Sequence, residues 1–151
     1  MKLRSLAPFV VAVSVSACAH RTWTAPDRFV ELESSRSGAK FVSSDDARLW
    51  IRRFDPEADG SLQYWRDHVR LQFTTERGYT LMSERDVKVG GEPAVEFVFE
   101  ATVDGALQRY ALFLSVESGL VRDRVVTAEF IATPEAFAQH EAAVRTALRV
   151  E

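Results

Sequence analysis

The sequence contains a single cysteine among its 151 residues, and this scarcity excludes two classes of small protein. One thiol cannot form an intrachain disulfide framework, and it cannot supply the several thiolates of a structural zinc site. Basic side chains are not in excess either, because 19 Lys and Arg against 22 Asp and Glu leave a formal net charge of −3. Nucleic-acid-binding proteins usually have a basic surplus, so no nucleic-acid partner is expected.

Long hydrophobic runs are also missing. The most apolar stretch is Leu6 to Val15, which is interrupted by Pro8 and is shorter than the ~20 residues that a membrane-spanning helix needs. It follows the basic residues Lys2 and Arg4 and precedes the small residues Ser16 and Ala17. A basic start, a short apolar run and small residues in this order are typical of a secretory signal peptide.

The end of this segment resembles the lipobox of bacterial lipoproteins, in the four residues Val15, Ser16, Ala17 and Cys18. The resemblance implies cleavage after Ala17, a diacylglyceryl group on the Cys18 thiol and an acylated amine. It predicts a signal peptide over residues 1–17 and membrane attachment through lipid. An ordinary signal-peptidase site, cut before His20, and a plain cytoplasmic start are the alternatives.

Residue 19 bears on which membrane holds the protein. It is alanine, not the aspartate that retains lipoproteins in the inner membrane of enteric bacteria. By this analogy the outer membrane, facing the periplasm, is favoured over the inner membrane.

The remaining chain predicts a tether over residues 18–26 and a single α+β domain over residues 27–151. A helix is indicated where apolar residues recur at spacings of three and four, at Leu62, Trp65, Val69 and Phe73. A second helix is indicated by Thr133, Pro134 and Glu135, an N-cap, a first-turn proline and an acid. Strands are predicted over 29–33, 39–43, 48–54, 79–89, 94–103, 108–116 and 124–132.

Two of these strands differ in their pattern. Residues 94–103 alternate apolar and mostly polar, which predicts one buried and one largely solvated face, with Glu96, Glu100 and Asp104 on the latter. Residues 108–116 are apolar on both faces, which predicts a central strand covered on both sides. Asp104 and Gly105 between them indicate a hairpin.

The domain resembles the PsbP-like superfamily, which includes DcrB-like bacterial envelope lipoproteins. The resemblance covers about residues 23–150 and lies in Gly91-x-Pro93-Ala94-x-x-Phe97-x-Phe99, the Tyr110 strand and the closing helix after Phe130-Ile131-Ala132. It implies an antiparallel sheet flanked by helices, a PsbP-like α/β/α sandwich. It also implies largely non-catalytic roles, as accessory subunits, binding modules or secretion-effector chaperones. Together with the signal peptide, this predicts a binding or accessory module whose partner is an envelope protein or a cell-wall component.

Motifs of catalysis are absent from the sequence, which contains no P-loop, no G-x-S-x-G elbow and no G-x-G-x-x-G loop. The start of a zinc-protease motif at His140-Glu141 lacks its second histidine, because residue 144 is valine. We therefore expect no enzyme. A periplasmic hydrolase is the alternative, and it would require a cleft that joins His68 or His140 to an acid and a hydroxyl.

The loop Asp55-x-Glu57-x-Asp59-Gly60 resembles the start of an EF-hand calcium loop, with oxygen ligands at alternate positions before a glycine. The twelfth position should be a bidentate glutamate, and here it is Arg66. The competing interpretation is a strand-to-helix turn capped by Asp59 or Ser61. If calcium binds here, the chain is a calcium-stabilised structural protein. Otherwise the only expected cofactor is the covalent lipid on Cys18.

Two aromatic side chains are candidates for a partner surface. Trp23 lies near the tether, and Tyr64 lies off the apolar stripe of the first predicted helix. Aromatic side chains left exposed at such positions often mark protein interfaces.

Overall fold

A computed structural model describes residues 23–57, 60–119 and 122–151. Within this part of the chain, seven antiparallel strands form one sheet in the order β1-β2-β3-β7-β6-β5-β4. The first three strands join the later meander through the pairing of β3 with β7, in which Arg48 lies opposite Ile131 and Phe54 opposite Val125. The strands are β1 (Phe29–Ser35), β2 (Gly38–Ser43), β3 (Arg48–Phe54), β4 (Thr80–Val89), β5 (Glu92–Val103), β6 (Ala106–Glu117) and β7 (Arg124–Ala132).

The helices begin where capping residues are available. Ser61 caps α1 (Leu62–Leu71), because its hydroxyl accepts a hydrogen bond of 3.2 Å from the Tyr64 amide. Thr133 caps α2 (Pro134–Leu148) in the same way, with the Ala136 amide 3.4 Å away. After α1 the chain continues as one π-helical turn, Gln72–Glu76. Neither helix in the described part of the chain is long and apolar enough to cross a bilayer.

The two helices cover opposite faces of the sheet. On β6, Ala111 and Phe113 belong to the core cluster that includes Phe137 and Val144 of α2. The alternate residues Tyr110, Leu112 and Leu114 belong to a second cluster, with Val69 of α1 and Phe73 of the π-helical turn. Successive strand residues point to opposite faces, so the domain has three layers. The prediction of an antiparallel sheet flanked by helices is confirmed, as is the two-sided cover of β6.

The prediction for the polar face of β5 is wrong. Glu96 is only 1% exposed, because α2 packs over it, and its carboxylate accepts hydrogen bonds from Arg85 of β4 and Arg145 of α2. Glu100 is half-buried beside Arg109, and only Asp104, in the hairpin turn, is exposed. Alternation along one strand indicates which residues share a face, but it does not show whether a distant helix covers that face.

Candidate binding surface

Among the residues that the structure describes, no helix lies over one half of the α1 side of the sheet. On β2 and β3 the residues that face α2, such as Phe41, Leu49 and Ile51, are buried. The residues between them point to the other face and are half-buried or exposed. We call this uncovered area the open face and define it by Lys40, Arg48, Trp50, Arg52 and Glu129. Its position follows from the sheet order, because α1 packs on the cluster of β5 and β6, while β2 and β3 lie beyond β7.

Trp50 lies at the centre of the open face and is 40% exposed. Lys40 Nζ lies 5.1 Å from the centroid of its indole ring, and the Arg52 guanidinium carbon lies 4.5 Å from it. Cation–π contacts at exposed sites contribute about 0.5–1 kcal/mol each, so these two cations restrain the indole on the sheet. A restrained, exposed tryptophan beside an arginine is the residue combination found at binding hot spots.

A buried carboxylate lies next to Trp50. Glu129 of β7 is 6% exposed and accepts hydrogen bonds from the Arg52 guanidinium and the Tyr110 hydroxyl. Burial and the charge of Glu129 raise the pKa of Tyr110 far above its ordinary range, so this hydroxyl remains a proton donor to Glu129. Arg52 thus both neutralises Glu129 and stacks on Trp50, which fixes the guanidinium in place.

A groove of about 440 Å³ continues the open face toward one end of the sheet. Arg48 links the two, because it lies two residues before Trp50 on β3 and also lines the groove. We call this groove the distal groove. Its apolar lining comes mainly from the β5–β6 hairpin and from Tyr79 and Ile131, and its polar rim is the ion pair of Arg48 with Asp46. The lining comprises Asp46, Arg48, Tyr79, Ala101, Val103, Asp104, Ala106, Gln108, Tyr110 and Ile131.

A serine, an aspartate and a histidine also meet, on the other side of the sheet. His140 of α2 is 3% exposed, and its Nε2 lies 3.0 Å from each carboxylate oxygen of Asp45. The Ser43 hydroxyl donates to the same carboxylate. In a serine hydrolase the histidine contacts the hydroxyl, whereas here the aspartate lies between them. These hydrogen bonds connect the β2–β3 turn to α2.

Asp45 is the carboxylate that accepts both of these hydrogen bonds. Hydrogen bonds from Ser43 and, second, from His140 hold its pKa below the ordinary value of 3.8. A carboxylate accepts hydrogen bonds but cannot donate them, so His140 Nε2 must bear a proton in this contact. The structure therefore brings His140 to an acid and a hydroxyl, but none of the three residues lines the groove on the open face.

Two residues of the candidate calcium loop, Asp55 and Glu57, lie in the described part of the chain. Asp55 Oδ1 accepts a hydrogen bond of 2.9 Å from Arg124 Nε, and Glu57 is exposed. Asp59 lies outside the described residues. Within the described ranges, no three His, Cys, Asp or Glu side chains are grouped as metal ligands. Ser61 caps α1, as the competing interpretation expected.

The predicted partner-surface residues lie on different parts of the molecule. Trp23 is half-buried against the cluster beneath α2, so the end of the predicted tether packs on the domain. Tyr64 lies on α1, is 49% exposed and contacts the ring of Trp65. They do not form one surface. The lipobox residues Val15, Ser16, Ala17 and Cys18 lie outside the described residues.

Sequence reasoning missed the open face, although a signal for it was present. On β3 the order Arg48-Leu49-Trp50-Ile51-Arg52 places the tryptophan in the polar phase of the alternation, on the same face as two arginines. A large aromatic residue in that phase indicates an exposed ring. The partner of Arg52, Glu129, could not be identified because it lies 77 positions later in the chain.

Known proteins resemble this chain in structure more clearly than in sequence. No protein-family model matches it, and no curated protein matches it. Among solved structures it is similar to LpqN of Mycobacterium tuberculosis, which is involved in cell envelope biogenesis. That match has 17% identity and a TM-score of 0.62 over 84% of this chain and 79% of LpqN.

A second similar structure is PA94 of Pseudomonas aeruginosa, a protein of unknown function. It matches with 19% identity and a TM-score of 0.55, over 83% of this chain and 81% of that one. TM-scores above 0.5 at identities this low show that the three chains share a fold. They do not transfer a function.

Proposed function

We propose that this protein is a cell-envelope lipoprotein, anchored through lipid on Cys18, whose domain is a non-catalytic binding or accessory module. The observation that supports the anchor best is the sequence Val15-Ser16-Ala17-Cys18 directly after a short apolar run. An envelope role also agrees with the shared fold of LpqN, a protein involved in cell envelope biogenesis. We further propose that the domain is PsbP-like and that the anchor lies in the outer membrane, because residue 19 is not aspartate.

The anchor has a direct physical basis. Each buried methylene contributes about 0.8 kcal/mol, so one acyl chain binds a membrane marginally and two or more hold a protein firmly. A diacylglyceryl group with an acylated amine would provide three chains. It would also remove the free thiol, which is otherwise reactive outside the cytoplasm.

The anchor is tested by expressing the full chain in a bacterial host with radiolabelled palmitate. We expect the wild type to be labelled and to sediment with outer membranes, and Cys18→Ser to be unlabelled and absent from the membrane fraction. His20→Gln, two residues beyond the lipobox, is the control and should behave as the wild type. Label that persists in Cys18→Ser would refute lipidation at this residue.

The open face supports the proposal of a binding module. It offers an exposed indole held by two cations, with the buried carboxylate of Glu129 paired to Arg52 beneath and a groove beside it. The groove is lined mainly by apolar side chains that can bury a ligand, and the charged groups around Trp50 are held in fixed positions. Such preorganised surfaces reduce the entropy cost of binding.

Site-specific photo-crosslinking in intact cells tests this assignment. A photoreactive residue at Val103, in the distal groove, should give discrete crosslinked products, and Trp50→Ala in the same chain should reduce them. The same photoreactive residue at Met82, exposed on β4, is the matched control. Identical products at both positions would argue against the open face as the binding surface, as would products that Trp50→Ala leaves unchanged.

A further inference from the structure

Strand β1 lies at one edge of the sheet. It pairs with β2 on one side, and among the described residues no strand lies against its other side. Six of its seven residues are exposed, and Val30 and Leu32 are each 66% exposed. An edge strand presents a row of main-chain N–H and C=O groups, which another extended chain about 4.8 Å away can match. The partner that fits this edge is therefore an extended polypeptide segment.

The opposite edge of the sheet is closed at its end by the chain itself. The backbone N–H of Lys88 in β4 donates to the Glu151 carbonyl, and the Glu151 N–H donates back, at 3.0 Å each. Val89 forms a further bridge with Val150. These residues occupy the position that an incoming strand would need there. Strand β1 is thus the edge at which the described structure leaves room for another strand.

The charge of β1 indicates the chemistry of that segment. The ionisable side chains of the strand, Glu31 and Glu33, are both acids and both exposed. A second copy of β1 would bring the same two acids to the edge, so self-pairing is weak and needs a high protein concentration. Lys or Arg side chains on the incoming segment would instead form opposite-charge pairs across the two strands. The acids therefore favour a basic segment over a second copy.

A bulge in β1 turns the two carboxylates to opposite faces of the sheet. The register shifts between Glu31 and Glu33. Glu31 lies opposite Phe41, which faces α2. Glu33 lies opposite Lys40, which belongs to the open face. Because neighbouring residues of a regular strand also point to opposite faces, two adjacent basic residues match this arrangement.

Strand β1 is also one border of the open face. The Glu33 carboxylate lies 2.8 Å from Lys40 Nζ, and Lys40 lies opposite Trp50 in the pairing of β2 with β3. A strand added to β1 would lie three strand spacings from β3, which is roughly 14 Å. A folded protein that supplies this strand would extend over the exposed indole of Trp50. The edge and the open face therefore form one continuous surface.

We infer that β1 and the open face bind one protein partner, which adds an extended basic segment to the sheet as an eighth strand beside β1. This inference rests on the binding module proposed above and names its partner, and it does not depend on the lipid anchor. In this mode of recognition, main-chain hydrogen bonds supply affinity and alternate side chains supply specificity. Basic side chains of the segment contact Glu31 and Glu33.

Fluorescence anisotropy of labelled peptides, titrated with the full chain in a zwitterionic detergent, tests the inference. The probe is Thr-Val-Lys-Lys-Val-Thr-Val, whose adjacent lysines point to opposite faces of a strand. A second peptide has glutamate in place of both lysines. A third keeps the lysines but is N-methylated at its three central residues, which blocks main-chain pairing. We expect the acidic peptide to bind about tenfold more weakly than the probe, and the N-methylated peptide not to saturate.

Variants of the protein locate the site. Glu31→Lys should weaken binding of the probe about fivefold and strengthen binding of the acidic peptide. Glu92→Lys makes the same charge change at an exposed residue of β5, and as the matched control it should leave both affinities unchanged. Hydrogen exchange in the complex with the probe should slow within Phe29–Ser35 and not within Thr80–Val89.

Equal binding of the N-methylated peptide would overturn the inference, because charge alone would then attract the probe. Equal effects of Glu31→Lys and Glu92→Lys would place the site elsewhere. A dimer that the probe does not dissociate, seen by sedimentation velocity, would make a second copy the occupant of β1. Failure of every peptide to bind would refute the pairing with β1 alone, because the crosslinks from Val103 test the binding module separately.

Discussion

At the scale of single residues, the titratable side chains inside this domain are the least expected feature. Glu96, Glu129 and His140 are all nearly buried, and each has a partner on a different strand, helix or turn. Glu96 links β5 to α2, Glu129 links β7 to β3 and β6, and His140 links α2 to the β2–β3 turn. Buried polar and charged groups are costly unless they have partners, so these contacts select one arrangement of helices on the sheet.

Glu96→Gln tests the first of these links. The substitution removes the charge that two arginines contact in a buried site, and we expect it to lower the free energy of unfolding by about 1–3 kcal/mol. Glu100→Gln, on the same strand face but with one arginine partner and more exposure, should cost at most about 1 kcal/mol. Urea denaturation of both variants gives the comparison. Equal losses would mean that burial of Glu96 has no energetic consequence.

The Asp45 contact predicts a pH dependence. Its pKa is held below the ordinary value of 3.8 by Ser43 and His140. A carboxyl group with a lowered folded-state pKa stabilises the fold above its unfolded pKa, and this stabilisation is lost as pH falls through the folded pKa. We therefore expect Asp45→Asn to be less stable at neutral pH and to lose less stability below about pH 4.

The measurement is the free energy of unfolding between neutral and acidic pH, for the wild type and for Asp45→Asn. Asp46→Asn, in the same turn but bonded to Arg48 at the surface, is the matched substitution. If the free energy of unfolding of Asp45→Asn falls at acidic pH as steeply as that of the wild type, the Asp45 carboxylate does not make the expected contribution.

At the scale of elements, local signals located the helices and most strands. Helix α2 begins at Pro134, as the Thr133-Pro134-Glu135 pattern predicted, and its apolar residues Phe137, Val144 and Leu148 are buried. The Asp104–Gly105 turn has positive φ at both residues, 51° and 79°, as a tight two-residue hairpin requires. These features depend on neighbours within a few positions, so they are readable from sequence.

The cap of α2 can be tested directly. Thr133→Ala removes the hydroxyl that accepts from the Ala136 amide, and we expect a loss of about 1 kcal/mol in the free energy of unfolding. Thr146→Ala, inside the same helix, removes a hydroxyl that donates to the Ala142 carbonyl and should change stability by less than about 0.5 kcal/mol. Thermal unfolding of the two variants measures both losses. Equal losses in the free energy of unfolding would contradict a stabilising role for the Thr133 cap.

At the scale of the whole molecule, the two edges of the sheet differ. The outer edge of β4 is rich in charged residues, and near its end the backbone of Lys88 pairs with Glu151 through two bonds of 3.0 Å. Strand β1 is exposed over six of its seven residues, and Val30 and Leu32 are each 66% exposed. Unprotected apolar edges favour pairing with other chains.

We therefore expect concentration-dependent association through β1. In the Cys18→Ser background, which removes the lipid site, Leu32→Lys should move association to higher protein concentration. Met82→Lys places the same charge on the opposite edge, at a side chain that is 52% exposed, and should leave association as in the parent. Sedimentation velocity over a concentration series measures this. A larger effect of Met82→Lys would contradict the assignment to β1.

The sequence by itself determined the features that depend on short range. The lipobox pattern at Cys18, the helix caps, the hairpin at Asp104–Gly105 and the presence of strands at 48–54 and 124–132 each involve residues a few positions apart. Of these, the caps, the hairpin and the strands are confirmed. The lipid anchor stays a prediction.

Only the tertiary structure decided which of those elements meet. The pairing of β3 with β7 creates the open face, and the packing of α2 over β5 buries Glu96. Both depend on contacts across many tens of residues, where chain periodicity holds no information about the partner. For that reason the exposed Trp50 surface and the buried charges became visible only when the sheet order and the positions of the helices were known.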